Sequence, residues 1–271
     1  MRKLIVVAVT AALVLVPLTA EAKTNAKKAY GVTATVSATT SEVGRTVKVA
    51  GKVVGKGAAG KKVDIQRKNG AGRWATVARA KVSKRNLYVA RVKMTNGGKT
   101  SIRVIMPATR SARTGVSAVR NVTTYRWLSM VQQSAIVSGG MIHDTTGKIK
   151  GTSYPHSIAL LGGGMVVKAN KLCTRFSTTL GFDDSSTVAP DSTFGASFGD
   201  PTTGGPIVDK TVKAGERIPV QAAIGSMVYF AAFGGTSSST PQYPIIGSPR
   251  LYCAADALPT VRPSEIDLIV S

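Results

Sequence analysis

The chain has 271 residues, with 36 Lys+Arg against 13 Asp+Glu and a formal charge of +23. Hydrophobic residues make up 43%, enough for real cores, which excludes wholesale disorder. Two cysteines and two histidines exclude a multi-ligand zinc framework, and the charge points to an anionic partner.

The chain begins with a basic pair, Arg2 and Lys3, followed by an uncharged apolar run from Leu4 to Pro17. At about 14 residues the run is short of the ~20 that span a bilayer. Ala20-Glu21-Ala22 then supplies small residues at the spacing a signal peptidase reads. Residues 1–22 are expected to be a signal peptide, giving a secreted or extracellular chain that is not transmembrane after cleavage.

Charge then divides the rest. Residues 23–127 hold 24 Lys+Arg and only Glu42 and Asp64 as acids, a net +22; residues 128–271 hold ten of each sign. A composition break this sharp predicts two domains, 23–127 and 128–271, meeting near Tyr125 to Met130.

The first domain reads as short strands with period-two alternation. The runs are Val32–Ala38, Val47–Val53, Val63–Gln66, Trp74–Val82, Tyr88–Met94, Ile102–Met106 and Val119–Tyr125. Gly44, Gly55, Asn69-Gly70 and Asn96-Gly97-Gly98 punctuate them. About seven strands at this spacing predict an immunoglobulin-like sandwich with Trp74 in its core. The basic residues fall opposite the apolar faces. With no recognition helix and no interleaved aromatics, nucleic acid is not the expected partner. An anionic wall polymer or lipid surface fits charge and export together, and a merely soluble basic face is the plainer alternative.

The second domain offers strand signals at Ser157–Leu161, Met165–Lys168, Cys173–Gly181, Thr193–Phe198, Ile207–Val212, Ile218–Ala223, Met227–Phe233 and Arg250–Cys253. No capped amphipathic helix is evident, so a jelly-roll sandwich is expected and the fold class is all-β. Cys173 and Cys253 are a candidate disulfide in an oxidising compartment; two separate buried thiols are the alternative.

Several short motifs match catalytic patterns in letter only. Gly55-Lys56-Gly57-Ala58-Ala59-Gly60 satisfies G-x-G-x-x-G but joins two strands with no helix after it. Gly195-Ala196-Ser197-Phe198-Gly199 satisfies G-x-S-x-G, yet no histidine follows His156. No enzyme is expected, a hydrolase with misread active residues being the remaining alternative.

Two resemblances follow from runs of residues. Gly44-Arg45-Thr46-Val47-Lys48-Val49-Ala50-Gly51-Lys52-Val53 and Gly60-Lys61-Lys62-Val63-Asp64-Ile65-Gln66-Arg67 resemble the bacterial Ig-like modules of secreted surface proteins, over about residues 30–125. These modules act as spacers or adhesive elements. The blocks 151–158 (from Gly151 to Ile158), 173–184 (from Cys173 to Asp184), 193–200 (from Thr193 to Asp200), Lys213-Ala214-Gly215-Glu216 and Pro249-Arg250-Leu251-Tyr252-Cys253 resemble the NPCBM family (novel putative carbohydrate-binding module). That family has a galactose-binding-like jelly roll. It often carries an acid-and-Trp block before its last strand, where this chain has Tyr243-Pro244-Ile245-Ile246-Gly247-Ser248.

The resemblance implies carbohydrate binding, with loop contacts at Tyr154, His156, Asp183, Asp184, Tyr243 and Arg250. Arg250 is suited to fork onto ring hydroxyls. Asp183-Asp184 could instead cap a turn, hold a structural calcium, or serve acid–base chemistry. Trp127 is expected to pack at the junction. No other cofactor is implied. A structural or adhesion protein without sugar specificity is the alternative of a different class.

Overall fold

The computed structural model describes residues 27–203, 205–236 and 242–270. The expected signal peptide lies outside the described residues. Eighteen strands are described in chain order. They are β1 (Gly31–Val32), β2 (Thr35–Val36), β3 (Thr40–Glu42), β4 (Thr46–Val54), β5 (Lys62–Asn69), β6 (Ala75–Lys81), β7 (Leu87–Lys93), β8 (Gly98–Met106) and β9 (Gly115–Val116). β10 (Arg120–Ser129), β11 (Ala135–Ile149), β12 (Thr152–Val167), β13 (Cys173–Phe182), β14 (Thr193–Gly199), β15 (Pro206–Lys213), β16 (Arg217–Ala223), β17 (Phe230–Thr236) and β18 (Pro244–Cys253) follow. The fold is all-β, as the alternation predicts, with one short C-terminal helix.

The first half forms two facing sheets. In one, β4 carries β1 and β2 on one side and β7 on the other; the second runs β3-β10-β8-β5-β6, with β9 against β8. Inward positions supply the core. Val47, Val49 and Val53 of β4 meet Tyr88 and Val92 of β7, Val63 and Ile65 of β5, and Ile102 and Val104 of β8. This is the sandwich that period-two alternation requires when one face is apolar. Burial pushes the Tyr88 phenol up to about 12. Trp74 is not in this core, contrary to expectation. It lies half-buried outside it, with Arg103 4.3 Å and Lys68 5.5 Å from its ring. Its place just before β6, at the end of a turn, puts the ring beside the solvent face of the sheet.

The second half also forms two layers. One is β16-β13-β18; the other is β11-β12-β17-β14-β15, joined to the first where Ile158 and Ala159 pair with Ile246 and Ile245. Phe176, Leu180, Phe194, Phe198, Phe230 and Leu251 fill the space between them. Phe176 sits 4.8 Å, centroid to centroid, from both Phe198 and Phe230. Each buried Phe contributes about 1.5–3 kcal/mol of burial.

Three differences from the sequence reading have local causes. β11 is missing from the expected strands because its four register shifts break the alternation. The two expected strands around Gly162-Gly163-Gly164 are one, β12. These glycines read as turn residues, but an added Cβ on Gly164 would come within 2.1 Å of the Phe233 ring. Gly164 is there for close packing, and Gly162 for its left-handed φ of 104°. The helix, α1 (Pro263–Val270), is too short to show periodicity. Glu265 marks its start: its carboxylate accepts the Arg262 backbone N–H at 2.8 Å and pairs with Lys168.

The composition break falls inside one continuous strand. β10 pairs with β8 and β3 through Arg120–Tyr125, then with β18 through Arg126–Ser129. A second link lies beside it. Gly97 approaches the Ala255 backbone so closely that a Cβ would lie 2.2 Å from the carbonyl oxygen. The Gly97 N–H donates to Asp256 Oδ1 at 2.8 Å, and Arg126 pairs with the same oxygen at 3.2 Å.

Cys173 and Cys253 form a disulfide that ties the start of β13 to the end of β18, 80 residues apart. In the chain-entropy model a loop of that length contributes about 4–5 kcal/mol. Chemical denaturation of the oxidised chain and of Cys173→Ser/Cys253→Ser should differ by a loss of up to about that amount in the second sandwich. Equal midpoints would refute the role.

Candidate functional site

The six residues expected to contact a ligand divide among three places. Asp183 and Asp184 follow β13 and face the β11–β12 hairpin. Asp183 Oδ2 accepts the Lys148 N–H at 2.8 Å, and its Oδ1 accepts the Ser185 N–H at 3.0 Å and the Ser185 hydroxyl at 2.5 Å. Asp184 accepts the Lys150 and Gly151 N–H groups at 2.7 and 2.8 Å. This is turn capping, in which carboxylates satisfy amides that the ladder leaves free. Tyr243 and Asp183 share a shallow hollow of about 220 Å³ with Thr145 and Ile245. Tyr154 is half-buried against Ile149, Ala159 and Ile245.

His156 and Arg250 meet in a different cleft, of about 270 Å³. Trp127, Ser129, Pro155 and Ser248 complete its main lining. β10 and β18 build it. Because Trp127 pairs with Tyr252 and Ser129 with Arg250, all four side chains share the ladder face opposite Leu128 and Leu251, with Arg250 exposed and Tyr252 buried. The Trp127 ring lies 5.1 Å from Tyr252, and Tyr252 stacks on Tyr125 at 5.2 Å. Two guanidiniums flank this row. Arg250 sits 4.7 Å and Arg175 5.5 Å from Trp127, and Arg175 is 4.1 Å from Tyr252. The Tyr252 hydroxyl donates to Glu42 Oε1 at 2.8 Å, reaching across to the first sandwich. Burial first, and then the Glu42 carboxylate, raise the Tyr252 phenol above its ordinary value against the opposing Arg175.

The backbone of the cleft is constrained. His156, Asp144 and Ser248 all hold left-handed φ angles, 51°, 58° and 44°. Each costs on the order of 1 kcal/mol or more, which surrounding bonds must offset. His156 Nδ1 lies 2.7 Å from Asp144 Oδ1. The Ser248 hydroxyl donates to Pro155 O at 2.6 Å, and Ser248 N–H donates to Ser157 Oγ at 3.1 Å. The loop is thus held in one shape before any ligand arrives, which lowers the ordering cost of binding.

Sequence reading placed Trp127 at the junction as packing, and passed over Ser129 and Arg175. The alternation Tyr125, Trp127, Ser129 carried the signal, but only with β18 as the neighbouring strand. The literal motif at 195–199 has a structural role: Ser197 lies in β14 and donates to Asp209 at 2.7 Å. His143 lies 3.2 Å from the Ser134 hydroxyl. Among the described residues no group of three His, Cys, Asp or Glu is placed to hold a metal ion.

No protein-family model matches the chain, and no curated protein matches it. Solved structures with partial likeness come from ZmpB of Clostridium perfringens. The structure of its CBM51-2 and INT domains in complex with GlcNAc is 9% identical, with a TM-score of 0.38, covering 58% of this chain and 38% of that one. A structure of its M60 catalytic domain with CBM51-1 and CBM51-2 is 10% identical, with a TM-score of 0.39, covering 86% and 32%. The chain thus spans well under half the length of either. Likeness at this level leaves function to be argued from the chain's own residues.

Partial burial alone would raise the Asp183 carboxyl. The Ser185 hydroxyl, the Lys148 and Ser185 amides and the Lys148 charge outweigh it and hold the pKa below its ordinary value. The stability this gives is present above the unfolded value near 3.9 and is lost as pH falls through the folded one. Melting temperature followed from pH 6 to pH 2 should therefore fall less steeply in Asp183→Asn than in the parent. Parallel curves would show that the carboxylate is not holding the hairpin.

Proposed function

We propose that the chain is an exported, non-catalytic carbohydrate-binding protein of the cell surface, whose basic sandwich acts as a spacer in contact with anionic wall polymer. The observation that carries the sugar-binding part is the Trp127–Arg250–His156 cleft. An aromatic ring offers its face to the C–H side of a sugar, while Arg250 donates to hydroxyls and the imidazole exchanges hydrogen bonds with them. These are the few convergent polar groups on an apolar surface that small-ligand sites use. The resemblance of the second half to the NPCBM family supports the same reading, with Trp127 on β10 supplying a tryptophan in place of the family's acid-and-Trp block, which residues 243–248 do not carry. Export is supported by the leader-like N-terminus and the disulfide.

A glycan array probed with the full mature chain is expected to give millimolar or tighter binding that Trp127→Ala and His156→Ala each weaken about tenfold or more. No binding at millimolar glycan would overturn the reading and leave a structural or adhesion role. Turnover of a polysaccharide or ester substrate would overturn the non-catalytic part.

The basic sandwich is tested separately. Retention of the chain on cell-wall material should fall steadily between 50 mM and 500 mM salt, because exposed charges are screened over about a Debye length. Retention that is indifferent to salt would refute the wall-polymer contact.

A further inference from the structure

The second half of the chain carries as many acids as bases, yet Arg250, the arginine that lines the cleft, has no acid partner, and Arg175 beside the aromatic row has none either. Among the described residues, arginine ion pairs are made by Arg79, Arg126 and Arg262, and neither Arg175 nor Arg250 makes one. The nearby carboxylates are committed: Asp144 to His156, and Glu42 to the Tyr252 hydroxyl. Arg250 is exposed and lies over Trp127. Its guanidinium has no carboxylate to satisfy it, so its N–H groups are available to grip a planar or tetrahedral anion with two parallel bonds. Directly across the ladder from Arg250, the Ser129 hydroxyl lies buried without a hydrogen-bond partner. Ser129 also lines the cleft, and an unpaired buried hydroxyl is costly, so a ligand acceptor placed there would satisfy it. The ring nitrogen of His156 that does not face Asp144 is a third polar group on the same rim.

Resting on the carbohydrate-binding reading above, we propose that this cleft selects an acidic sugar, one bearing a carboxylate or a phosphate. The anion takes the Arg250 fork and accepts from Ser129, and the ring lies against Trp127. A neutral sugar would make the ring contact and accept single hydrogen bonds from Arg250, but it would bring no charge to the guanidinium fork.

The test is titration calorimetry of the full mature chain with two matched pairs. One is a uronic acid oligosaccharide and its carboxyl-reduced form; the other is a hexose phosphate and the free hexose. A preference of about tenfold or more for the acidic member of either pair is expected, and the pair that shows it identifies the anion. Arg250→Gln should remove the preference, leaving the acidic and neutral members of each pair bound equally. Arg250→Lys, which keeps the charge and loses the fork, should fall between. Lys48→Gln/Arg91→Gln in the basic sandwich should leave the preference intact.

Equal affinity within both pairs would overturn the inference while the carbohydrate reading stands. Binding of neither member would overturn both. A preference that survives Arg250→Gln but falls in Lys48→Gln/Arg91→Gln would place the anion on the basic sandwich and also overturn it. Near-ultraviolet circular dichroism identical to the parent shows that each variant is folded.

Discussion

The ladder between β10 and β18 is the constraint on which the rest depends. Four residues of β10, Arg126 to Ser129, pair with Arg250 to Cys253 after the same strand has completed a sheet of the first sandwich. Side chains alternate across a strand, so this one register settles two things together. Leu128 and Leu251 face the core, while Trp127, Ser129, Arg250 and Tyr252 share the opposite face of the ladder. A slip of one residue would bury the arginine and expose the leucines. The disulfide at Cys253 fixes the end of β18 and so guards that register.

The link between the sandwiches is built from different forces. Backbone hydrogen bonds carry β10 across, the Gly97–Ala255 contact is steric, and Asp256 adds charge-assisted bonds to Gly97 and Arg126. Partial burial works against the Asp256 carboxylate, but the Gly97 amide, Asn96 and Arg126 together hold its pKa below the ordinary value. The Tyr252–Glu42 bond spans the same link from the other side. The candidate cleft therefore stands on a strand anchored at both ends, which suits a site that must hold its groups before binding.

Much of the fold was legible in the residues. Val47, Val49 and Val53 alternate with lysines, and that pattern has one stable answer, a strand with a single buried face. Asp183-Asp184 was legible as turn capping among other options, since carboxylates after a strand commonly take free amides. β11 was not legible, because its register shifts destroy the period that identifies a strand. Trp74 was misplaced because an aromatic beside a strand reads as core, whereas Arg103 and Lys68 hold it on the solvent face by cation–π contact. The helix at Pro263–Val270 was too short for a helical period to stand out.

The sequence by itself determined the all-β class, the charge asymmetry and the presence of a single cysteine pair. Those are properties of composition and of local alternation, which need no partner strand to be read. Only the tertiary structure decided which of the candidate residues share a place. It joined His156 and Arg250 to Trp127, set Asp183 with Tyr243 elsewhere, and committed Asp184 to a hairpin. The reason is that a ligand site is a set of contacts between distant strands. Pairing of residue 127 with residue 252 is decided by how the two cores close, and no local pattern encodes it.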